Sequence, residues 1–138
     1  MAIQGLDALQ KKLDKLADNK TYYKALGRAG IVVEGAAIRL VPVDTGLLRG
    51  SIATNVKESS LTAQVGTNLE YAPYVEYGTG LFATGGYGRQ IPWSYQREDG
   101  SWVTTRGQRA QPFVGPARRE NREKVVKEFQ RSLNEVIK

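Results

Sequence analysis

The chain has 138 residues and neither cysteine nor histidine, which removes disulfides, thiolate nucleophiles, imidazole bases and the usual zinc sites. Neither a metal nor a cofactor is expected, and 41% apolar residues suffice for one domain spanning residues 1–138. Lys and Arg number 20 against 14 Asp and Glu, a formal charge of +6 that fits an anionic neighbour or simply a solvated basic surface.

In chain order, Ile3, Leu6, Leu9, Leu13 and Leu16 recur at steps of three and four. This spacing predicts an amphipathic helix over residues 1–18 that needs a partner surface. Charge is mixed into the segment, unlike the apolar part of a signal peptide, and no run approaches the ~18 to 20 apolar residues of a membrane span. A soluble protein made in the cytoplasm is expected. Asp18-Asn19 interrupts the pattern, and Thr21 is the expected cap of a second helix running to about Leu40, where Pro42 forbids continuation. That helix carries Gly27, Gly30 and Gly35 among alanines. Each costs about 1 kcal/mol relative to Ala, so something must approach the backbone closely, either the domain's own sheet or another subunit.

The stretch "VPVDTGLLRG", Val41 to Gly50, contains Asp44-Thr45-Gly46, the triplet on which aspartic proteases build their catalytic carboxylate. Two carboxylates must share a proton in such a site, so a chain with a single triplet would act as a homodimer. The local context points elsewhere. The triplet follows a Gly/Ala-rich helix ended by Pro42 instead of an apolar strand, and Leu47-Leu48-Arg49 read as a helical turn with Asp44 or Thr45 as its N-cap. Pro42, Asp44, Thr45 and Gly46 are therefore assigned to a structural corner, and no residue is assigned as catalytic.

"SIATNVKES" and "LTAQVGTN" read as two strands of an antiparallel hairpin turning at Ser59-Ser60. The aromatic segment "YAPYVEYGTG" follows. From Thr79 to Gln111 the chain is rich in Gly, Arg and aromatics, as in a projecting loop. Within it "IPWSYQ" and "SWVTT" form the arms of a hairpin joined through Glu98-Asp99-Gly100. "QPFVGPA" returns the chain to the core, and from Pro116 onward Val125, Val126, Phe129, Leu133, Val136 and Ile137 line one face of a final helix of ~30 Å. The predicted fold class is α+β: an antiparallel sheet with two N-terminal helices and a long C-terminal helix packed on it, plus a projecting loop or hairpin over residues 79–111.

"VPVDTGLLRGSI", then "YAPYVEYGTG", then "QPFVGPA" ahead of a C-terminal amphipathic helix resemble, in this order and at these intervals, the neck and tail-completion proteins of long-tailed bacteriophages (siphophages), also described as head-tail connectors or tail components. The resemblance covers Thr21 to the C-terminus; the first helix is too generic to match, and Leu81 to Arg109 is the least typical region. Pro42, Asp44, Thr45, Gly46, Leu47 and Ser51 match the family's helix-to-strand corner. Tyr71, Ala72, Tyr74, Val75, Glu76, Gly78 and Thr79 match its central aromatic motif, and Pro112, Phe113 and Pro116 the start of its last helix. The resemblance implies a structural virion protein and not an enzyme. Identical subunits would form a ring, a hexamer or alternatively a dodecamer, between head-closure or connector proteins and the tail-tube or tail-terminator proteins. DNA would pass through with transient, non-specific contact. The implied location is the virion, at the neck or top of the tail, after assembly in the host cytoplasm and with no membrane partner.

On that reading Tyr71, Tyr74, Glu76, Tyr77 and Gly78 are the candidate subunit interface, since rings form from heterologous faces that use rigid aromatic anchors. Tyr74 and Val75 would serve equally as core residues. Arg89, Trp93, Arg97, Trp102, Arg106 and Arg109 are candidate contacts to a neighbouring ring or to passing DNA. Protein contact is favoured, because Trp and Arg are interface anchors whereas tryptophan stacking helps only with single strands. Two other classes stand beside this one: a stand-alone basic nucleic-acid-binding protein, supported by charge but by no binding motif, and a homodimeric aspartic peptidase acting through Asp44-Thr45-Gly46.

Overall fold

The computed structural model describes residues 5–44, 46–86 and 88–137; within them six helices and two small antiparallel sheets give an α+β fold, as the sequence predicts. Helix α1 (Leu6–Ala17) ends where Asp18 turns extended. Asp18 then opens α2 (Asn19–Leu40), its carboxylate accepting the N–H of Lys20 at 3.0 Å. The cap is thus Asp18 and not Thr21, which lies inside the helix and donates its hydroxyl to the Lys15 carbonyl at 2.8 Å, tying α1 to α2. At the far end Val41 is extended and Pro42 follows, so α2 stops where its sequence says it must.

After α3 (Leu47–Ser51), strands β1 (Ala53–Lys57) and β2 (Thr62–Gly66) pair antiparallel, with Thr54 opposite Val65 and Val56 opposite Ala63. That register puts Thr54, Val56, Ala63 and Val65 on the shielded face against α2. Next come α4 (Ala72–Tyr77), the hairpin β3 (Trp93–Gln96) and β4 (Trp102–Thr105), α5 (Val114–Glu120) and α6 (Arg122–Ile137). The single C-terminal helix expected from the sequence is two. The backbone leaves helical geometry at Asn121, φ −111° and ψ 15°, and the buried Asn121 amide donates to the Ala117 carbonyl at 2.9 Å. Being 16 residues long, α6 extends about 24 Å.

The layering also departs from expectation. Helix α6 runs along α2 and not on the sheet, so α2 lies between the β1–β2 hairpin and α6, with α5 also against it. A sheet of two strands has its inner face filled by one helix, and the second helical layer must find another surface, here the remaining side of α2. Helix α1 touches α6 and α2, yet Leu6, Leu9 and Leu13 each remain more than half exposed. Its partner surface within the chain is incomplete, and Ile3 lies outside the described residues. None of the described helices is long and apolar enough to cross a membrane.

The glycines of α2 divide by purpose. A Cβ on Gly30 would come within 2.5 Å of the Thr54 methyl, and Thr54 is held in place by donating its hydroxyl to Glu34 at 2.5 Å. Gly30 is where helix meets strand, so the close approach is made by the chain's own sheet. At Gly35 the nearest atom to an added Cβ is Nη1 of Arg39 at 3.6 Å, an ordinary contact. Gly30→Ala is therefore expected to destabilise by about 1 kcal/mol despite its better helix propensity. Adding Thr54→Ser, which removes the obstructing methyl and keeps the hydroxyl, should recover that loss. Gly35→Ala should stabilise by up to about 1 kcal/mol, and urea unfolding of the four proteins measures all three effects.

Candidate assembly surface

Helix α5 begins with Phe113-Val114-Gly115, and none of these side chains can cap its free N–H groups. The acceptor comes from 37 to 39 residues away. Glu76, near the end of α4, takes the N–H groups of Phe113 at 2.8 Å and Val114 at 3.0 Å on one carboxylate oxygen, and that of Gly115 at 2.9 Å on the other. Gly115 allows this approach, because a Cβ there would stand 3.0 Å from the same carboxylate and 2.9 Å from Nη1 of Arg119. The clasp joins "YAPYVEYGTG" to "QPFVGPA" and seats Phe113, only 1% exposed, in the core with Val33, Leu48, Ile52 and Ala117. Glu76, assigned above to a subunit interface, thus has both oxygens committed within its own chain. An uncapped helix start was the sequence signal for such an acceptor.

The three tyrosines fall at steps of three on α4 and its flank, on one face, and all are exposed: Tyr71, Tyr74 and Tyr77. Tyr74 is therefore a surface residue, whereas Val75 packs partly buried against the core. Just beyond them the chain narrows. Gly78, Thr79 and Gly80 run against residues 106–110, with the Thr79 N–H donating to the Gln108 carbonyl, the Leu81 N–H to the Arg106 carbonyl and the Gln108 N–H to the Thr79 hydroxyl, each at 2.9 Å. Gly78 has φ 76°, and a Cβ on it would meet three backbone atoms at 2.8 Å. The glycine pair exists because two backbones touch at the neck of the loop.

Beyond the neck the loop organises itself. The guanidinium of Arg89 sits 5.5 Å from the Trp93 ring centre, and that of Arg109 sits 5.1 Å from the Phe82 ring centre. Arg97, Arg106 and Trp102 are exposed, and Trp93 is half-buried. The six loop residues singled out from the sequence are thus spread along the hairpin and its neck instead of converging on one site. At the tip Asp99 accepts the Ser101 hydroxyl at 2.6 Å and the Ser101 N–H at 2.9 Å, bonds that hold its pKa below the ordinary carboxylate value, the hydroxyl contributing most.

At the corner, Asp44 is exposed, and Gly46, with φ 83°, occupies the N-cap position of α3. The expected cap from Asp44 is not made, because Gly46 takes the left-handed position and begins the helix itself; Thr45 lies outside the described residues. Two clefts flank α4. One, of about 560 Å³, is lined by Pro42, Asp44, Leu47, Tyr71 and Gln108. The other, of about 510 Å³, runs between Leu69, Pro73 and Tyr77 on one side and Val114, Arg118 and Arg119 on the other, with Glu76 in its wall.

Residues 7–78, just over half of the chain, match the family described as "Bacteriophage HK97-gp10, putative tail-component". The chain belongs to this family of phage tail components. It is a structural protein of the phage tail, and its place is in the virion. No curated protein and no solved structure matches it. The family match begins in α1, so the first helix, too generic to support the resemblance from sequence, is part of the shared pattern. It ends at Gly78, the residue at the loop's neck, and leaves the loop, α5 and α6 outside. The Glu76 clasp is therefore the joint between the family portion and the remainder.

Glu76→Ala leaves three helix-start N–H groups without their acceptor, and is expected to cost about 3 kcal/mol. Glu76→Gln, which retains one acceptor oxygen, should cost roughly half as much; thermal unfolding with amide exchange at residues 113–115 reads both. At the hairpin tip, a carboxyl with a lowered pKa adds stability above its unfolded value that disappears as pH falls through the folded one. The tip should accordingly loosen only in acid. Ser101→Ala should move the Asp99 titration, followed by NMR, back up toward an ordinary aspartate.

Proposed function

We propose that the protein is a neck or tail-completion subunit that assembles as a ring, a hexamer or alternatively a dodecamer, at the head–tail junction. There it joins tail to head and leaves a passage for DNA. The observation that carries this reading is the loop over residues 79–111: pinned at its neck by backbone hydrogen bonds, it still exposes Ile91, Tyr95 and Trp102. Apolar side chains held out on a braced mount are what an assembly subunit needs, since exposed apolar groups of this size gain by being covered in a protein contact. The partners on this reading are further copies of the chain, a head-closure or connector protein, and a tail-tube or tail-terminator protein.

The loop arginines favour protein over DNA as its partner. Arg89 and Arg109 lie against aromatic rings, a packing use of the guanidinium, while phosphate binding asks for groups presented along a backbone track. DNA contact is then transient and non-specific. An enzymatic role is not part of the proposal: Asp44 sits in a bend between helices α2 and α3, a setting unlike the strand-borne turn of an aspartic peptidase, which supports a corner function.

Phage carrying a stop codon in this gene should yield filled heads and finished tails that fail to join, with joining restored by the wild-type protein supplied in trans. Asp44→Asn should restore joining as well as the wild type. Electron microscopy of lysates reads both outcomes; joined, infectious particles lacking the polypeptide would refute the proposal.

A further inference from the structure

We infer that the tip of the β3–β4 hairpin of one copy plugs the cleft between α4 and α5 of the next copy, with Trp102 on the cleft's apolar floor and Glu98 against Arg118 and Arg119. The inference rests on the ring reading above and names the contact that closes the ring.

The plug is defined by register. Trp93 pairs with Thr105, Tyr95 with Val103 and Gln96 with Trp102, so Trp102 shares a face with Ser94, Gln96 and Thr104. The opposite face carries Trp93, Val103 and Thr105, half-buried, and the exposed Tyr95. Trp102 is therefore the one large apolar group on an outward polar face, and it is 69% exposed. Next to it is the tip, where Glu98 and Asp99 are the sole acids between Thr79 and Gln111. Asp99 is used by the turn. Glu98 is exposed and has no hydrogen-bond or ion-pair partner among the described residues. Arg97 beside it leaves the tip mixed in charge but presents its carboxylates to a basic molecule.

The socket has the complementary chemistry. Leu69, Ala72, Pro73 and Val114 supply apolar walls to a cleft of about 510 Å³. Its acid, Glu76, already accepts three backbone N–H groups on its two oxygens, and at its rim Arg118 and Arg119 are exposed, with no carboxylate in ion-pair range among the described residues. An indole with a carboxylate a few residues away fits an apolar floor with a cationic rim, the Trp and Arg combination that dominates interface energetics. Six residues, four of them strand β4, separate Arg106 at the neck from Asp99 at the tip, a reach of roughly 20 Å. Plug and socket are different surfaces of one molecule, so each copy offers one of each and the contact propagates head to tail until it closes.

Because the chain has no cysteine, the contact can be trapped. Glu98→Cys combined with Arg118→Cys, oxidised mildly in the purified full-length protein, should give a ladder of covalent oligomers ending in a closed ring. Glu98→Cys with Lys24→Cys on α2 should not. Trp102→Ala, at a position too exposed to matter for folding, should weaken self-association in sedimentation by roughly 30-fold or more. Arg118→Glu should also weaken it, and Glu98→Arg in the same chain should restore it. Wild-type rings without the ladder would overturn this contact and leave the ring reading standing. A fast-migrating internally crosslinked monomer would overturn it too, by placing the tip in its own cleft. A protein that stays monomeric at every concentration would end the inference, and the joining assay then judges the ring reading separately.

Discussion

The interaction on which the rest of the structure depends is the Glu76 carboxylate accepting three successive backbone N–H groups at the start of α5. It is an N-cap supplied across the chain by a charged group, stronger than a neutral hydrogen bond and sited where the helix's partial positive charge is greatest. By fixing residues 113–115 it places Phe113, the only large side chain fully buried among the described residues. Phe113 in turn sets where α5 lies against α2, and α6 follows from that after the break at Asn121. Without the clasp, the C-terminal helices would still be amphipathic but would lack an anchored starting point.

The same stretch governs the loop. Gln111 donates its N–H to the Val75 carbonyl at 2.8 Å, one residue before the clasp carboxylate, so the strand leaving the loop is fixed alongside α4 as the strand entering it departs. Gly78 and Gly80 then permit the two backbones to touch, at φ values of 76° and 62° that favour glycine. An excursion of some thirty residues ordinarily costs order. Here its ends are fastened together, and only the hairpin beyond remains to be held by its own ladder and its cation–aromatic pairs.

Much of this could be read in advance, and the reasons for success and failure are physical. Period-two alternation with a turn fixed the β1–β2 pairing, and Pro42 fixed the end of α2, because both signals are local. The glycines of α2 announced a close approach; Gly30 against Thr54 supplies it, and Gly35 does not. The sequence misled where a competing local group won: Asp18 reached the Lys20 N–H before Thr21 could cap, and Gly46, not Asp44, stands at the N-cap position of α3. The break at Asn121 was hidden because the apolar spacing continues across it. The clasp was illegible for a different reason. Its partners are 37 to 39 residues apart, and only the missing cap at Phe113 hinted that something distant had to supply one.

The core is built largely of small side chains, with Ala25, Ala29, Ala36, Ala37, Ala72 and Ala117 among its buried members, while Leu6, Leu9, Leu13, Tyr74 and Trp102 stand outside. A monomer evolved for its own stability would be expected to bury the larger group of each kind, since each leucine or aromatic withdrawn from water contributes about 1.5–3 kcal/mol. Small residues inside allow α2 to approach both a strand and a helix; large ones outside leave that free energy to be gained elsewhere. The exposed groups lie on α1, α4 and the hairpin, three separate elements. For a tail component that arrangement fits a subunit with several neighbours, whose last increment of burial comes from the particle and not from its own fold.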